Sequence, residues 1–237
     1  MSKDVVWPRV RPELTTDQQA VLEDWYSEFL GNILPGKFGW MDRANHSYAL
    51  RSALPGQRTL EIGPGNGSHI DLEDLSQQEE YVALELRESL SVQIAEKHRN
   101  LRVVVGDCQT RLDFPDESFD RVLAIHVLEH LENLPAALTE VARVMRKSAK
   151  FSIVIPCEGG SIYSLGRRLT AQRAFEKRYQ MPYEWVIKYE HINTAREVIR
   201  ELTKNFKVVN QQFYPTRIPS INLNVLVGMT LTLPNDS

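Results

Sequence analysis

The sequence has few cysteines, no long apolar run and little net charge, and each absence excludes a class of protein. Its 237 residues include only two cysteines, Cys108 and Cys157, which form neither a CxxC pair nor a metal-binding spacing. We therefore expect two buried thiols in a reducing compartment, and no bound metal. No run reaches the roughly 18 apolar residues of a membrane span, and the first ten residues lack the apolar stretch of a secretory signal. A cytoplasmic protein without a transmembrane segment is expected, and a peripheral contact with a membrane surface is compatible with this.

The charge balance also excludes one kind of partner. The chain carries 28 basic and 31 acidic residues, a net charge of −3. A protein that coats DNA presents a strongly basic surface, so we expect no DNA partner. Hydrophobic residues make up 42% of the chain, which is enough to form the core of one large α/β domain or two small ones.

From residue 58 onward, short apolar runs alternate with helical segments. Each run is continuously apolar, which is typical of parallel strands buried on both faces. After the fourth run, Leu134, Leu138, Val141 and Met145 recur at helical spacing. This alternation predicts an α/β fold with a doubly wound sheet. The predicted strands are RTLEI (58–62), YVALE (81–85), LRVVV (101–105), FDRVLAIHV (119–127) and FSIVIP (151–156).

The N-terminal residues differ from this pattern. Residues 1–12 are rich in proline and charge and predict a loose arm. Residues 15–31 predict an amphipathic helix that Thr16 caps and Gly31 ends. A short helix is expected near 45–54.

The C-terminal residues predict a further helix and two strands. Thr194 and Glu197 form a capping box that opens the helix. Runs at 206–214 and 222–233 are joined by a short proline-containing turn, so they should pair antiparallel. The predicted organisation is an N-terminal helical segment (1–57), a ligand-binding core (58–156), an insertion (157–190) and a C-terminal part that completes the core (191–237).

A glycine-rich loop follows the first predicted strand directly. The segment LEIGPGNGS (60–68) runs from a strand into Gly63-Pro64-Gly65-Asn66-Gly67 and then toward a helix. Glycine lets the backbone turn sharply and approach a ligand at the open end of a parallel sheet. The spacing differs from the dinucleotide pattern GxGxxG, because the third glycine comes one position early.

Two acidic residues follow the next two predicted strands at equal spacing. Glu85 lies 22 residues after Gly63, where a carboxylate can accept two hydrogen bonds from a ribose diol. Asp107 lies 22 residues further on and can accept from an exocyclic amine such as that of adenine. Signals at the ends of three consecutive strands predict a nucleoside-containing cofactor.

These residues resemble a known family, the class I S-adenosylmethionine-dependent methyltransferases of type 11. The resemblance covers residues 58–156 well and rests on LEIGPGNG, Glu85, GDCQ (106–109) and FPDESFDRVLAIHVLEHLENLPAALTEVARVMR (114–146). It implies a Rossmann-like seven-stranded sheet whose last strand is antiparallel, and S-adenosyl-L-methionine as the cofactor. The residues it implies for cofactor binding are Glu61, Gly63, Pro64, Gly65, Gly67, Glu85, Leu86, Asp107, Cys108 and His126.

Methyl transfer requires alignment of donor and acceptor, and a hydroxyl acceptor also needs a base. Histidine titrates near neutral pH, so the candidate catalytic residues are His126, His130 and His191. His126 has the best position, because it follows a buried strand at the open end of the sheet. For His130 and His191, structural roles beside the cofactor or the following helix are the alternative.

The resemblance implies that the insertion, together with the N-terminal segment, forms the substrate pocket. Arginine forks bind phosphate or carboxylate, and aromatic faces stack on bases or sugars, so we expect an anionic small-molecule or glycan-linked acceptor. The alternative is a solvated helical lid. The segment is also similar to insertions in methyltransferases of bacterial surface-polysaccharide biosynthesis. The candidate substrate-binding residues are Tyr163, Arg167, Arg168, Arg173 and Arg178.

Four alternatives to O-methylation stay open at this point. An N-methyltransferase or an RNA methyltransferase fits the same core, although one segment of net charge +4 is a small phosphate footprint for RNA. A nicotinamide-dependent oxidoreductase is disfavoured by the glycine spacing. A catalytically silent module would keep the cofactor site as a scaffold.

Overall fold

The computed structural model describes residues 6–28 and 39–234, and these contain a seven-stranded mixed sheet. The strand order is β3-β2-β1-β4-β5-β7-β6. Strands β1 to β5 are parallel, and β7 pairs antiparallel with both β5 and β6. The predicted α/β class, the sheet and its antiparallel last strand are confirmed. The strands are β1 (Arg58–Ile62), β2 (Glu80–Glu85), β3 (Arg102–Val105), β4 (Phe119–Ile125), β5 (Met145–Pro156), β6 (Lys207–Tyr214) and β7 (Leu226–Thr232).

Helices cover both faces of the sheet. The first pair, α2 and α3, packs on one face, and α4 and α8 pack on the other. Three short helices, α5 to α7, lie between β5 and α8 in the chain. Among the described residues, none of the helices is both long and apolar enough to cross a membrane. The helices are α1 (Thr16–Glu28), α2 (Gly39–Leu50), α3 (Glu88–Lys97), α4 (Leu134–Val144), α5 (Ser161–Arg167), α6 (Arg173–Tyr179), α7 (Glu184–Glu190) and α8 (Ala195–Asn205).

The strand order places a crevice between β1 and β4. From β1 the chain proceeds outward through β2 to β3, and it then returns to add β4 on the opposite side of β1. In open α/β sheets, ligands bind where the order reverses, outside the carboxyl ends of the strands. The glycine loop follows β1, and His126 follows β4. The topology therefore brings both to the crevice.

One of the two sheet faces contains buried charge. Arg121 of β4 is fully buried, and it donates to the carboxylate of Glu73 (2.7 Å), to Ser52 Oγ (3.0 Å) and to the Ala49 carbonyl (2.8 Å). Burial alone would raise the pKa of Glu73, but hydrogen bonds from His69 and Arg121 lower it. Inside the core, an ion pair thus joins β4 to the segment between β1 and β2, and hydrogen bonds join it to the end of α2.

The structure of the N-terminal segment differs from the predicted loose arm. Arg9, in the described part of the predicted loose arm, makes three long-range contacts. Its backbone N–H donates to the Glu132 carbonyl (2.8 Å). Its guanidinium pairs with Glu197 (2.5 Å) and donates to the Ile192 carbonyl. Arg11 donates to the His130 carbonyl (2.6 Å). The prediction of a loose arm is wrong for residues 9–11, because these long-range contacts cannot be read from local composition.

The cap of the first helix also lies one residue earlier than predicted. Thr16 is the first helical residue, and Thr15 Oγ1 accepts from the Gln18 N–H (3.2 Å) while the Gln18 side chain accepts from the Thr15 N–H (3.0 Å). This reciprocal pair of hydrogen bonds is a capping box. Thr15 is the cap rather than Thr16 because Gln18, three residues after Thr15, forms this pair with it. The predicted stop at Gly31 lies outside the described residues. At the other end of the chain, Thr194 and Glu197 form the predicted capping box.

The N-terminal helix packs on the insertion. Trp25 of α1 contacts Phe175 edge-to-face, with ring centroids 5.3 Å apart, and Tyr183 at 6.3 Å. Leu22 and Val186 complete a small apolar core that is separate from the two sheet faces. The insertion and the N-terminal helix therefore form one helical layer.

Candidate active site

The glycine loop is held in a conformation that most residues avoid. Gly63, Gly65 and Gly67 have φ values of +64°, +60° and +77°. The Gly63 N–H donates to the Leu84 carbonyl at 2.8 Å, which ties the loop to β2. A Cβ at Gly63 would lie 2.6 Å from Val127 Cγ2, whereas a Cβ at Gly65 would meet no atom within 4 Å. The loop is thus packed beneath Gly63 and open at Gly65.

Glu85 lies beside the open glycine, where the sequence predicted a ribose-binding carboxylate. Its side chain is 4% exposed, and the carboxylate accepts from the Gly65 N–H (3.1 Å) and from the Arg87 N–H (3.0 Å). Two backbone donors fix its position without exhausting its lone pairs. The neighbouring Leu86 is 63% exposed, so an apolar side chain faces solvent next to the carboxylate.

Asp107 lies at the next strand end, against a cavity of about 200 Å³. Its Oδ1 accepts from the backbone N–H of Gln109 (2.9 Å) and from the Gln109 side chain (3.1 Å). Apolar side chains, including Val104 and Leu112, line the same cavity. Burial, with the charge of Asp107, raises the pKa of the Cys108 thiol to about 12, so this thiol stays protonated. The cavity combines an apolar wall with a carboxylate, as an adenine ring would require.

Glu61 lies beneath the loop rather than on its surface. The side chain is 1% exposed, and it accepts a 2.7 Å hydrogen bond from the Tyr81 hydroxyl. Burial raises the pKa of this carboxyl. A contact between Glu61 and the amino acid end of a cofactor stays a prediction.

His126 ends β4 with a left-handed backbone. Its φ is +55°, and its N–H donates to the Val154 carbonyl at 2.8 Å. Such a conformation is uncommon for a non-glycine residue and concentrates at functional sites. Within the described chain, Nε2 is buried without a hydrogen-bond partner, while the side chain as a whole is 34% exposed. The next residue, Val127, is the one that packs against Gly63.

Glu129 is a central residue that the sequence did not single out as a candidate site residue. Its Oε1 lies 3.3 Å from His126 Nδ1 and 3.8 Å from His130 Nε2. Burial would raise its pKa, but the hydrogen bond with His126 and the charges of His130 and His191 lower it to about 2. The HxxEH spacing within LAIHVLEHL was the available signal, since it places both histidines on one turn with the carboxylate.

Comparison with known proteins agrees with this geometry. A family model described as a methyltransferase domain matches residues 60–153. The fatty-acid O-methyltransferase of Mycolicibacterium smegmatis is 34% identical over 110 residues, which are 45% of this chain and 39% of that protein. The range matched by the family model includes the glycine loop, Glu85, Asp107 and the 119–146 segment. Residues 60–153 therefore have the sequence pattern of a methyltransferase domain.

Solved structures support the fold of this methyltransferase domain. The PH0226 protein from Pyrococcus horikoshii has a TM-score of 0.66 at 16% identity, covering 89% of this chain and 99% of that one. The N-methyltransferase NodS from Bradyrhizobium japonicum, solved with S-adenosyl-L-homocysteine, has a TM-score of 0.62 at 13% identity and covers 91% and 99%. The chain spans 39% to 55% of the length of the curated relatives it matches.

The loop of the methyltransferase domain fits S-adenosylmethionine, the cofactor of this class. The space above Gly65 is one that a Cβ would enter, and a buried carboxylate lies beside it. The cavity at Asp107 lies at the end of the neighbouring strand. Together they place an open backbone loop and two carboxylates along one sheet edge, where the sequence predicts the ribose and adenine contacts.

The five predicted substrate-binding residues have different surroundings. Tyr163 is half-buried, and burial raises its pKa above the usual range. Arg167 pairs with Glu158 (2.8 Å), and the same carboxylate lies 3.1 Å from His191 Nδ1. Arg178 pairs with Asp24 of α1 (2.9 Å). The remaining two, Arg168 and Arg173, are exposed.

Proposed function

We propose that this protein transfers a methyl group from S-adenosylmethionine to an oxygen of an anionic acceptor, either a small molecule or a glycan-linked one. The observation that carries the proposal is the glycine loop, which is open above Gly65 and bonded to the Glu85 carboxylate at the point where the strand order reverses. When bound, S-adenosylmethionine supplies an electrophilic methyl group.

The residues of the chain bind and orient this cofactor. Gly63, Gly65 and Gly67 let the backbone approach its amino acid end. Glu85 accepts from the ribose hydroxyls and Asp107 from the adenine amine, with Cys108 beside the ring. Alignment of donor and acceptor in this way supplies much of the rate enhancement of a displacement reaction.

His126 is the proposed base for an oxygen acceptor. It lies one residue from the contact beneath Gly63, and Glu129 lies 3.3 Å from its Nδ1. With the ring proton on Nδ1, the Nδ1–H donates a hydrogen bond to the Glu129 carboxylate, and the Nε2 lone pair is left to accept a hydroxyl proton. His130 and His191 lie farther along the same group of side chains, beyond Glu129.

Two observations support an anionic acceptor. Residues 157–237 carry 11 basic and 7 acidic residues, whereas residues 58–156 carry 11 and 17. Arg168 and Arg173 are exposed in this basic part and can bind a carboxylate or phosphate. A relative of the core is named for fatty acids, whose carboxylate is both anionic and an oxygen acceptor.

Replacing Asp107 with alanine is expected to weaken S-adenosylmethionine binding by about 1.5–3 kcal/mol, the contribution of a hydrogen bond to a charged group. Titration calorimetry measures this loss. Asp116→Ala is the matched control, because Asp116 is an exposed acid that pairs with Arg143. Equal affinities for wild type and Asp107→Ala would show that this carboxylate does not hold the cofactor.

Replacing His126 with asparagine is expected to lower the turnover rate by about 100-fold or more while cofactor affinity changes little. Asparagine tolerates the left-handed backbone at this position better than alanine does, so this variant tests the ring more cleanly than His126→Ala. Turnover and calorimetry on the same preparation provide the two readouts. Undiminished turnover in both variants would exclude His126 as the base.

The acceptor class can be tested with radiolabelled S-adenosylmethionine. Fatty acids, anionic glycans, amines and RNA would each be offered, and label transfer to an anionic oxygen acceptor is expected. Mild base releases label from a methyl ester but not from an ether or a methylamine, which distinguishes methylation of a carboxylate from the other two reactions. Transfer only to amines or RNA would contradict the proposal, and cofactor binding with no transfer would indicate a silent scaffold.

A further inference from the structure

Three metal-ligating side chains meet beside the proposed base, although the sequence led us to expect no metal. Glu129, His130 and His191 each place one ligand atom within 4.8 Å of the others. We refer to these three residues as the His–Glu cluster. His130 and Glu129 come from the turn after β4, and His191 comes from the end of α7.

The hydrogen bonds of the two histidines fix which ring nitrogen is free. His130 Nδ1 lies 2.7 Å from the Glu190 carbonyl, and a carbonyl oxygen can only accept. His191 Nδ1 lies 3.1 Å from a carboxylate oxygen of Glu158. Both rings therefore donate from Nδ1 to a protein oxygen, and in the neutral tautomer the Nε2 lone pair is left for a ligand. Metal-binding histidines are oriented by the same kind of second contact.

Glu129 contributes a buried oxygen that is not satisfied. Its side chain is 2% exposed, and Oε2 has no hydrogen-bond partner in the residues that the structure describes. A buried acceptor without a partner is unfavourable, and more so when it is charged. A cation at the cluster would remove this cost.

Asn193 holds the two segments of the cluster together. This fully buried residue donates from its side chain to the carbonyls of Leu128 (3.0 Å) and Leu131 (2.8 Å), and from its backbone to the carbonyl of Glu129 (3.0 Å). The turn that carries Glu129 and His130 is thereby fixed against the segment that carries His191. Such fixed ligands are what a metal site needs.

The charges around the cluster favour a cation. Three carboxylates lie at or beside the cluster, those of Glu129, Glu158 and Glu190. Two guanidinium groups are also near: Arg167 pairs with Glu158, and Arg11 donates to the His130 carbonyl. Three negative groups face two positive ones when the imidazoles are neutral. The alternative arrangement is a metal-free network in which His130 is an imidazolium that Glu129 and Glu190 hold.

We propose that Glu129, His130 and His191 bind one divalent transition-metal ion and leave at least one coordination position open. Two imidazoles and one carboxylate suit Zn²⁺, Co²⁺ or Fe²⁺, and they do not suit Mg²⁺, which prefers oxygen ligands. Bonds of about 2.1 Å in tetrahedral geometry would bring the ligand atoms, which now lie within 4.8 Å of one another, to separations of roughly 3.4 Å. This site does not depend on methyl transfer.

The test is a titration of the full-length protein, first treated with a chelator, with Co²⁺ and then Zn²⁺. One Co²⁺ per chain is expected, with visible absorption bands typical of low coordination number, and Zn²⁺ should displace it. Zn²⁺ should also raise the thermal midpoint, while Mg²⁺ should leave it unchanged. Absence of stoichiometric Co²⁺ and Zn²⁺ binding would overturn the proposal in favour of the metal-free network.

Variants separate this site from adventitious binding. Glu129→Gln and His191→Gln should each abolish the Co²⁺ bands, and Glu158→Gln should weaken affinity by about 10–100-fold through His191. Glu132→Gln is the matched control: the same chemical change three residues away, at a 46% exposed side chain. Circular dichroism confirms folding, and His191→Gln, at an 18% exposed position, serves if Glu129→Gln does not fold. Equal binding in all variants would contradict the proposal.

Discussion

Replacing Arg121 with alanine is expected to lower the free energy of unfolding by about 3–5 kcal/mol, the usual consequence of removing one partner of a buried ion pair. The Glu73 carboxylate, 1% exposed, would lose its 2.7 Å partner and remain buried. Ser52 and the Ala49 carbonyl would lose donors at the same time. Denaturant unfolding of both proteins measures the difference.

Two further variants test whether the loss of stability arises from the burial of the ion pair. Arg146→Ala removes an arginine that pairs with Asp120 nearer the surface, so a loss of about 1 kcal/mol or less is expected. The double variant Arg121→Met with Glu73→Gln removes both charges and should recover part of the stability that Arg121→Ala loses. Similar losses for Arg121→Ala and Arg146→Ala would mean that the buried pair does not stabilise the core as proposed.

Replacing Gly65 with alanine is expected to weaken S-adenosylmethionine binding at least about tenfold, or 1.4 kcal/mol. The new Cβ would enter the space above the loop, which in this structure has no protein atom within 4 Å. The backbone φ of +60° would add a loss of stability of about 1 kcal/mol. Calorimetry and denaturant unfolding measure the two effects separately.

Gly56 provides a control with the same backbone strain. Its φ is +75°, and a Cβ there would also meet no atom within 4 Å. It precedes the amino end of β1, whereas Gly65 follows the carboxyl end. Gly56→Ala should therefore lose similar stability and keep full cofactor affinity. If the two variants bind S-adenosylmethionine equally well, the cofactor does not lie above Gly65.

The fold was largely predictable because its signals are local. Apolar runs of strand length, helical spacing after β4 and the Thr194–Glu197 box all act over a few residues. The buried Arg121 was not predicted, because its partners Ser52 and Glu73 lie 69 and 48 residues away in the chain. The contacts of Arg9 with Ile192 and Glu197 were not predicted for the same reason.

The candidate site also has a part that the sequence predicts and a part that it does not. The glycine loop, Glu85 and Asp107 follow three consecutive strands, so parallel topology alone brings them to one edge. The His–Glu cluster depends on Asn193, which fixes the turn after β4 against the residues beyond α7. No spacing in the sequence shows that His191 lies beside Glu129 and His130. That arrangement comes from tertiary packing.

Titration calorimetry with S-adenosylmethionine and with NAD tests the proposed cofactor site most directly. We expect saturable binding of S-adenosylmethionine at one site per chain, no binding of NAD, and a clear loss of affinity in Gly65→Ala but not in Gly56→Ala. Binding of NAD in place of S-adenosylmethionine, or no heat with S-adenosylmethionine at any concentration, would contradict a methyl-donor site at the glycine loop.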